Sequence, residues 1–319
     1  QQPVAPDSDF TPLHAADLPA LAEIYRNASD TSGGDAQAAF AASRLAPRFG
    51  TDPAADVLKP ITWTGREGYL LRELAVLENL PPRSIDLDID NDWPPLVRVA
   101  AARASKNLPE PVLLNLFDAD DSAVRLLACF LAIDRLTEPQ LRQLIDRLNH
   151  TFYDNERICG ALLIGLTGLE SPVLDKRLQR ENVWLVRQHI ILAQWMLGQN
   201  PSGFDIDGLL TNSAFPRDAT LLALLQRGRM DALDVIFQPF RADAGQLRYL
   251  LDHQRFYPIL TRYLRAGQPP FDLYADPADQ QFQCDALRDW YMMTRARLHF
   301  DPKLRQFTTE GHRDTKRGT

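Results

Sequence analysis

Asp121-Ser122-Ala123-Val124-Arg125-Leu126-Leu127-Ala128-Cys129-Phe130-Leu131 is the stretch that decides the fold. An aspartate stands ahead of two small residues and a Val-Arg step, and a run of small and apolar residues follows. An aspartate before a first helical turn accepts orphan backbone N–H bonds and suits the positive end of the helix dipole. The arrangement recurs along the chain. Arg98, Arg125, Arg157, Arg187, Arg217 and Arg248 are separated by 27, 32, 30, 30 and 31 residues. Asp92, Asp154, Glu181, Asn212 and Asp243 precede the other five arginines by three to six residues. Repeats of this length mark helical units that stack and bury their faces against their neighbours. The pattern therefore predicts an all-α chain, an α-solenoid of about six helical pairs, with an extended surface rather than one deep catalytic pocket.

Between the arginine-bearing helices the sequence predicts partner helices over Pro109 to Leu116, Glu138 to Leu148, Pro172 to Gln179 and Phe204 to Leu210. Proline near several of their starts is tolerated, because the first helical N–H has no partner to lose. Residues 1–60 read as an irregular helical region, with helices over Ala16 to Asn27 and Asp35 to Arg48. A further helix is expected over Gly65 to Asn79, and the repeat region covers 61–268. Pro269-Pro270 ends that pattern, so 269–319 should cap the last apolar face with a helix near Gln281 to His299 and a basic tail. Residues 295–319 hold seven Lys or Arg against three Asp or Glu, which makes that tail locally cationic.

A net charge of −7 counts against broad binding of nucleic acid, which requires a basic stripe. No apolar run approaches the roughly 18 residues of a membrane span. The opening Gln1-Gln2-Pro3-Val4-Ala5-Pro6 fits a periplasmic or otherwise exported product after removal of a signal peptide. A cytoplasmic chain trimmed at its start is the alternative. Cys129, Cys159 and Cys284 are too few and too odd in number for a disulfide framework, so they read as small core residues. A Cys129–Cys159 bridge between adjacent repeats depends on a distance that sequence does not give.

The segments Asp121 to Ala128, Pro94-Pro95-Leu96-Val97-Arg98-Val99-Ala100-Ala101 and Asn182-Val183-Trp184-Leu185-Val186-Arg187 resemble the second helix of HEAT repeats. The resemblance covers roughly residues 92–268. The end segment, Trp290-Tyr291 through Arg295-Ala296-Arg297-Leu298-His299-Phe300-Asp301-Pro302 to Phe307, is similar to tails of HEAT-repeat proteins exported by bacteria with elaborate envelopes. The family resemblance implies a non-enzymatic scaffold that holds a protein or peptide partner along its groove. It also leaves open an enzyme on the same stack, of the DNA glycosylase or pigment lyase kind, since a shared fold does not transfer an activity.

The sequence contains no H-E-x-x-H, C-x-x-C, glycine-rich phosphate loop, G-x-S-x-G or His-Glu dipeptide, so it nominates neither a catalytic residue nor a cofactor. The arginine ladder reads as structural, each guanidinium bonding a turn carbonyl or carboxylate in its own or the next repeat. Trp184, Arg187, His189 and Trp195 are the candidate binding residues. The two tryptophans stand 11 residues apart, which places them on nearly the same face of one helix, next to a cation and an imidazole. Asp86, Asp88 and Asp90 fit the first three ligand positions of a calcium loop, which would make a calcium-dependent exported module. Asn91 takes the glycine position and Val97 the bidentate glutamate position, so a solvated loop or short edge strand is the better reading.

Overall fold

Proline and small residues set where the helices start and how closely they pack. The computed structural model describes residues 74–199, 201, 217–237, 259–271 and 277–309. The chain divides into one compact unit of residues 1–107 with 274–276, and a second of 108–273 with 277–319. The expected helices over Ala16 to Asn27, Asp35 to Arg48 and Phe204 to Leu210 lie outside the described residues, as does Arg248.

In the first unit residues 74–79 are helical and α1 spans Pro95–Ala104. Pro95 occupies the first helical position, where its missing N–H costs nothing. Arg103 donates from Nη2 to the Leu77 and Glu78 carbonyls at 2.6 and 2.7 Å, satisfying orphan acceptors at the end of the 74–79 helix. Residues 84–85 run against the end of α1. Ser84 N donates to Ala104 O at 2.8 Å, Lys106 N donates to Ile85 O at 2.6 Å, and Ile85 bridges Ser105 in parallel. Ile85 and Ile89 are buried while Asp86, Asp88 and Asp90 are exposed, so the alternating stretch packs one face and solvates the other.

The second unit continues with α2 (Glu110–Phe117), α3 (Ser122–Arg135), α4 (Glu138–His150), α5 (Asp154–Thr167), α6 (Val173–Arg180) and α7 (Trp184–Met196). Then come α8 (Arg217–Gln226), α9 (Met230–Ile236) and α10 (Pro277–Thr294), followed by a 3₁₀ turn over Arg295–Arg297. The pairs predicted from sequence are present: α2 packs on α3, α4 on α5 and α6 on α7. Asp121 Oδ1 accepts from Ala123 N at 2.9 Å, the cap its position predicts. Thr137 and Gln140 form a capping box at the start of α4.

The arginine-bearing helices are also neighbours of one another: α3 packs on α5, α5 on α7 and α7 on α8. In a one-dimensional stack α8 would touch only its own neighbours. Here α8 also touches α3, and Ser122 Oγ donates to Asp218 Oδ2 at 2.6 Å between the first turns of the two helices. These four helices therefore close on themselves, and their facing sides form a core rather than an open groove. Small residues permit the closeness. A Cβ on Gly165 would lie 2.9 Å from Ala193 Cα and 2.8 Å from Met196 Sδ, so α5 and α7 approach as far as a glycine allows.

The C-terminal end differs from the expected capping helix near Gln281 to His299 with a basic tail. The last long helix ends at Thr294, and two strands after it join an earlier one in a three-stranded sheet. Its strands are β1 (Leu264–Arg265), β2 (His299–Asp301) and β3 (Gln306–Thr308), with β3 central, parallel to β1 and antiparallel to β2. Asp301 Oδ1 accepts from Lys303 N and Leu304 N, an Asx turn that reverses the chain between β2 and β3. Strands of two or three residues show no legible alternation, which is why the helix was expected to run on to His299. On the other side, Tyr291 donates to Asp234 Oδ1 at 2.8 Å and Arg295 clamps both Asp234 oxygens, joining α10 to α9. The Arg295 hydrogen bonds hold the Asp234 carboxyl below its ordinary range.

Gly165→Ala is expected to lower stability by about 1–3 kcal/mol in a thermal melt, because overpacking at Ala193 outweighs the roughly 1 kcal/mol that alanine gains in helix propensity. A melt equal to or above wild type would contradict the close α5–α7 contact.

Candidate functional site

The ladder arginines occupy one structural position. Arg98, Arg125, Arg157 and Arg187 are each the fourth residue of their helix. From there a guanidinium reaches back into the turn before its own helix. Arg125 Nη1 donates to Ala119 O at 2.6 Å and Asp120 O at 2.8 Å. Arg157 Nη1 donates to Thr151 O at 3.3 Å and Phe152 O at 3.1 Å. Arg187 Nη1 donates to Glu181 O at 2.8 Å in that turn and to Leu178 O at 2.6 Å at the end of α6. Arg98 is buried, and that burial lowers its pKa. Arg217 opens α8, three residues earlier than its counterparts, and its side chain lies outside the described residues.

Arg157 does more than its sisters. Nη2 donates to Asp154 Oδ1 at 2.7 Å, and Nε donates to Glu181 Oε2 at 3.1 Å. Glu181 in turn accepts from the Asn182 and Val183 amides at 3.1 and 3.0 Å, at the entry to α7. One guanidinium thus holds the turn before α5 and the turn before α7 side by side. Arg177 donates to Asn149 Oδ1 and, at 3.3 Å, to Arg157 O, and burial brings its pKa down to about 10. A third turn joins the row, because Asn155 Nδ2 donates to Asp118 O at 3.2 Å ahead of α3.

Large aromatic side chains project from this edge. Phe152 is 96% exposed and Tyr153 61%, both in the turn that Arg157 holds, and Trp184 on the first residue of α7 is 49% exposed. The corresponding turn before α3 carries Ala119 and Asp120 at the carbonyls its arginine binds. Phe152 and Tyr153 were not singled out from sequence. Aligning the turns on their arginines, rather than the helices that follow, is the signal that finds them.

The four candidate residues do not share an accessible surface. Trp184 reaches solvent, and Arg187 is engaged with two carbonyls. His189 is 2% exposed and its Nδ1 lies 2.8 Å from Leu185 O, so it is a core residue in the α3–α5–α7–α8 bundle. Trp195 is 8% exposed, with the Arg227 guanidinium 5.4 Å from its ring centre. The helical-face argument for the two tryptophans is correct in angle, but they sit at opposite ends of α7. Eleven residues span roughly 16 Å, enough to separate an open edge from a packed interior.

Cys129, Cys159 and Cys284 are buried free thiols. Cys129 Sγ lies 3.9 Å from Cys159 O, and burial pushes the Cys159 thiol well above its ordinary value. Asp86, Asp88 and Asp90 do not converge. Asp86 accepts from Asn107 Nδ2, Asp90 accepts from Asp92 N, and among the described residues no three His, Cys, Asp or Glu side chains are grouped to hold a metal. Alternate positions along this segment place the three carboxylates in a row rather than around one point. Among the described residues no helix is long and apolar enough to cross a membrane. No family model matches the chain, and no curated protein or solved structure matches it.

Burial lowers the His189 pKa from 6.5 to about 4, so the folded state holds the imidazole neutral while the unfolded chain protonates it. The unfolded state then binds more protons between those values, and stability falls as pH drops from 6.5 towards 4, by up to about 3 kcal/mol from this group. Urea denaturation at pH 7 and pH 4.5 should show a smaller loss for His189→Leu than for wild type, whereas equal losses would place the imidazole in solvent. Breaking the Arg157–Glu181 pair with Arg157→Met or Glu181→Gln is expected to cost about 2–4 kcal/mol, and the two changes together less than their sum. Additive losses would mean that the pair does not couple the two turns.

Proposed function

We propose that this chain is a non-enzymatic scaffold of tightly wound HEAT-like repeats that binds a protein or peptide partner along its turn edge. The observation that carries the proposal is the exposure of Phe152 and Tyr153 on a turn whose carbonyls are fixed by Arg157. Exposing large aromatics opposes the hydrophobic effect, and partner contacts are where such side chains are retained. The supporting backbone is pinned, so little ordering entropy is lost when a partner arrives. The proposal moves the contact surface from the inner helix faces to the turns, because the inner faces of α3, α5, α7 and α8 are occupied by one another.

The stacking of α3, α5 and α7, the pairing of each with its preceding helix, and the common fourth-residue arginine support the HEAT-like reading. The return contact from α8 to α3 fits a stack of unusually tight curl.

Affinity capture from an extract of the source organism tests the reading. Wild-type chain should retain a partner that Phe152→Ser/Tyr153→Ser/Trp184→Ser loses by about tenfold or more, while both proteins melt alike, since exposed substitutions shift stability little. Equal capture by the two would move the contact surface away from these turns.

A further inference from the structure

The chemistry around the exposed aromatics specifies the partner further, on the premise that the turn edge is the contact surface. Three linked segments make up that edge: 118–125, 151–157 and 181–187. They contain the carboxylates Asp118, Asp120, Asp121, Asp154, Glu156 and Glu181 and the guanidiniums Arg125, Arg157 and Arg187. The three guanidiniums point their Nη1 donors into backbone carbonyls. Asp154 and Glu181 are bound by Arg157, and Asp121 caps α3. Asp118 and Asp120 are exposed and Glu156 is half-buried, and among the described residues no hydrogen bond or ion pair occupies their carboxylates. Arg180 adjoins the third segment and is exposed, which still leaves the edge acidic.

The aromatic faces and the unoccupied carboxylates belong to one neighbourhood. Asn155 fixes the acidic turn to the segment that carries Phe152 and Tyr153, through its bond to Asp118 O. Aromatic faces attract cations through the ring quadrupole, and carboxylates do so by charge. A guanidinium or ammonium group is the one side-chain chemistry that both features favour together. A polyanion is repelled, and a purely apolar segment leaves the carboxylates without partners.

We propose that the turn edge binds a partner segment bearing several arginine or lysine side chains, with cations resting on Phe152 and Tyr153 and paired with Asp118, Asp120 and Glu156. The acidic balance also speeds encounter with such a segment, an effect that salt screens.

The test is fluorescence anisotropy of the full chain with four labelled peptides of equal length: alternating Arg-Ser, Lys-Ser, Glu-Ser and Leu-Ser. The Arg-Ser and Lys-Ser peptides are expected to bind and Glu-Ser not to. Raising the salt from about 50 to about 300 mM should weaken binding several-fold. Phe152→Ser/Tyr153→Ser and, separately, Asp118→Asn/Asp120→Asn/Glu156→Gln should each weaken binding about tenfold. The control Asp86→Asn/Asp88→Asn/Asp90→Asn removes the same number of charges from the other unit and should change affinity less than about twofold. Equal losses in the two charge variants would overturn the proposal, since the attraction would then be to net charge alone. So would Leu-Ser binding as tightly as Arg-Ser, or neither cationic peptide binding. In those cases the scaffold reading stands or falls separately, on whether the aromatic variant still captures its partner from extract.

Discussion

The guanidinium of Arg157 is the point on which the turn edge depends. Besides the nearby Asp154 carboxylate and the Thr151 and Phe152 carbonyls, it bonds Glu181, 24 residues further on. A planar group with five donors suits this task, because it satisfies several acceptors at fixed angles where an ammonium would serve as a point charge. Both partners are mostly withdrawn from solvent, with side-chain exposures of 16% and 10%. A pair in that position fixes geometry more than it adds stability, since desolvation offsets much of the attraction. Its consequence is positional: Phe152 and Tyr153 stay outside because the backbone that carries them is bonded inward.

The packing beneath the edge follows from the small residues. Gly165 against Ala193 brings two helices to near backbone contact, and the alanines and cysteines of α3 and α5 are buried alongside. With such closeness the four arginine-bearing helices meet across their own axis, and Ser122 reaches Asp218. The interior that an open solenoid would present to a ligand is taken up by core, including a neutral His189. The accessible surface then includes the ends of the helices, where the turns are.

Much of this was legible in the sequence. The recurrence of an arginine shortly after an acidic turn marks the helices α3, α5 and α7, because capping residues and small-apolar runs act locally. The role of the arginines in tying turns was legible for the same reason. The long-range features were not. Nothing in residues 122 and 218 announces that they meet, and the two- and three-residue strands at Leu264, His299 and Gln306 exist only through one another. The candidate site divided along the same line. Trp184 was visible as an aromatic at a helix start. His189 and Trp195 can be read from sequence either as core residues or as anchors of a groove, and the choice depends on curvature, which adjacent-residue patterns do not encode. Phe152 and Tyr153 were missed because a turn carries no periodicity to set them against.

Hydrogen–deuterium exchange on Glu181→Gln, compared with wild type, tests the central claim most directly, because it reads the two turns separately. If Arg157 couples them through Glu181, amides over 151–154 and over 182–184 will both exchange faster in the variant, while those of α3 remain unchanged. Faster exchange confined to 182–184 would contradict the account, since the Phe152 turn would then be held without the clamp.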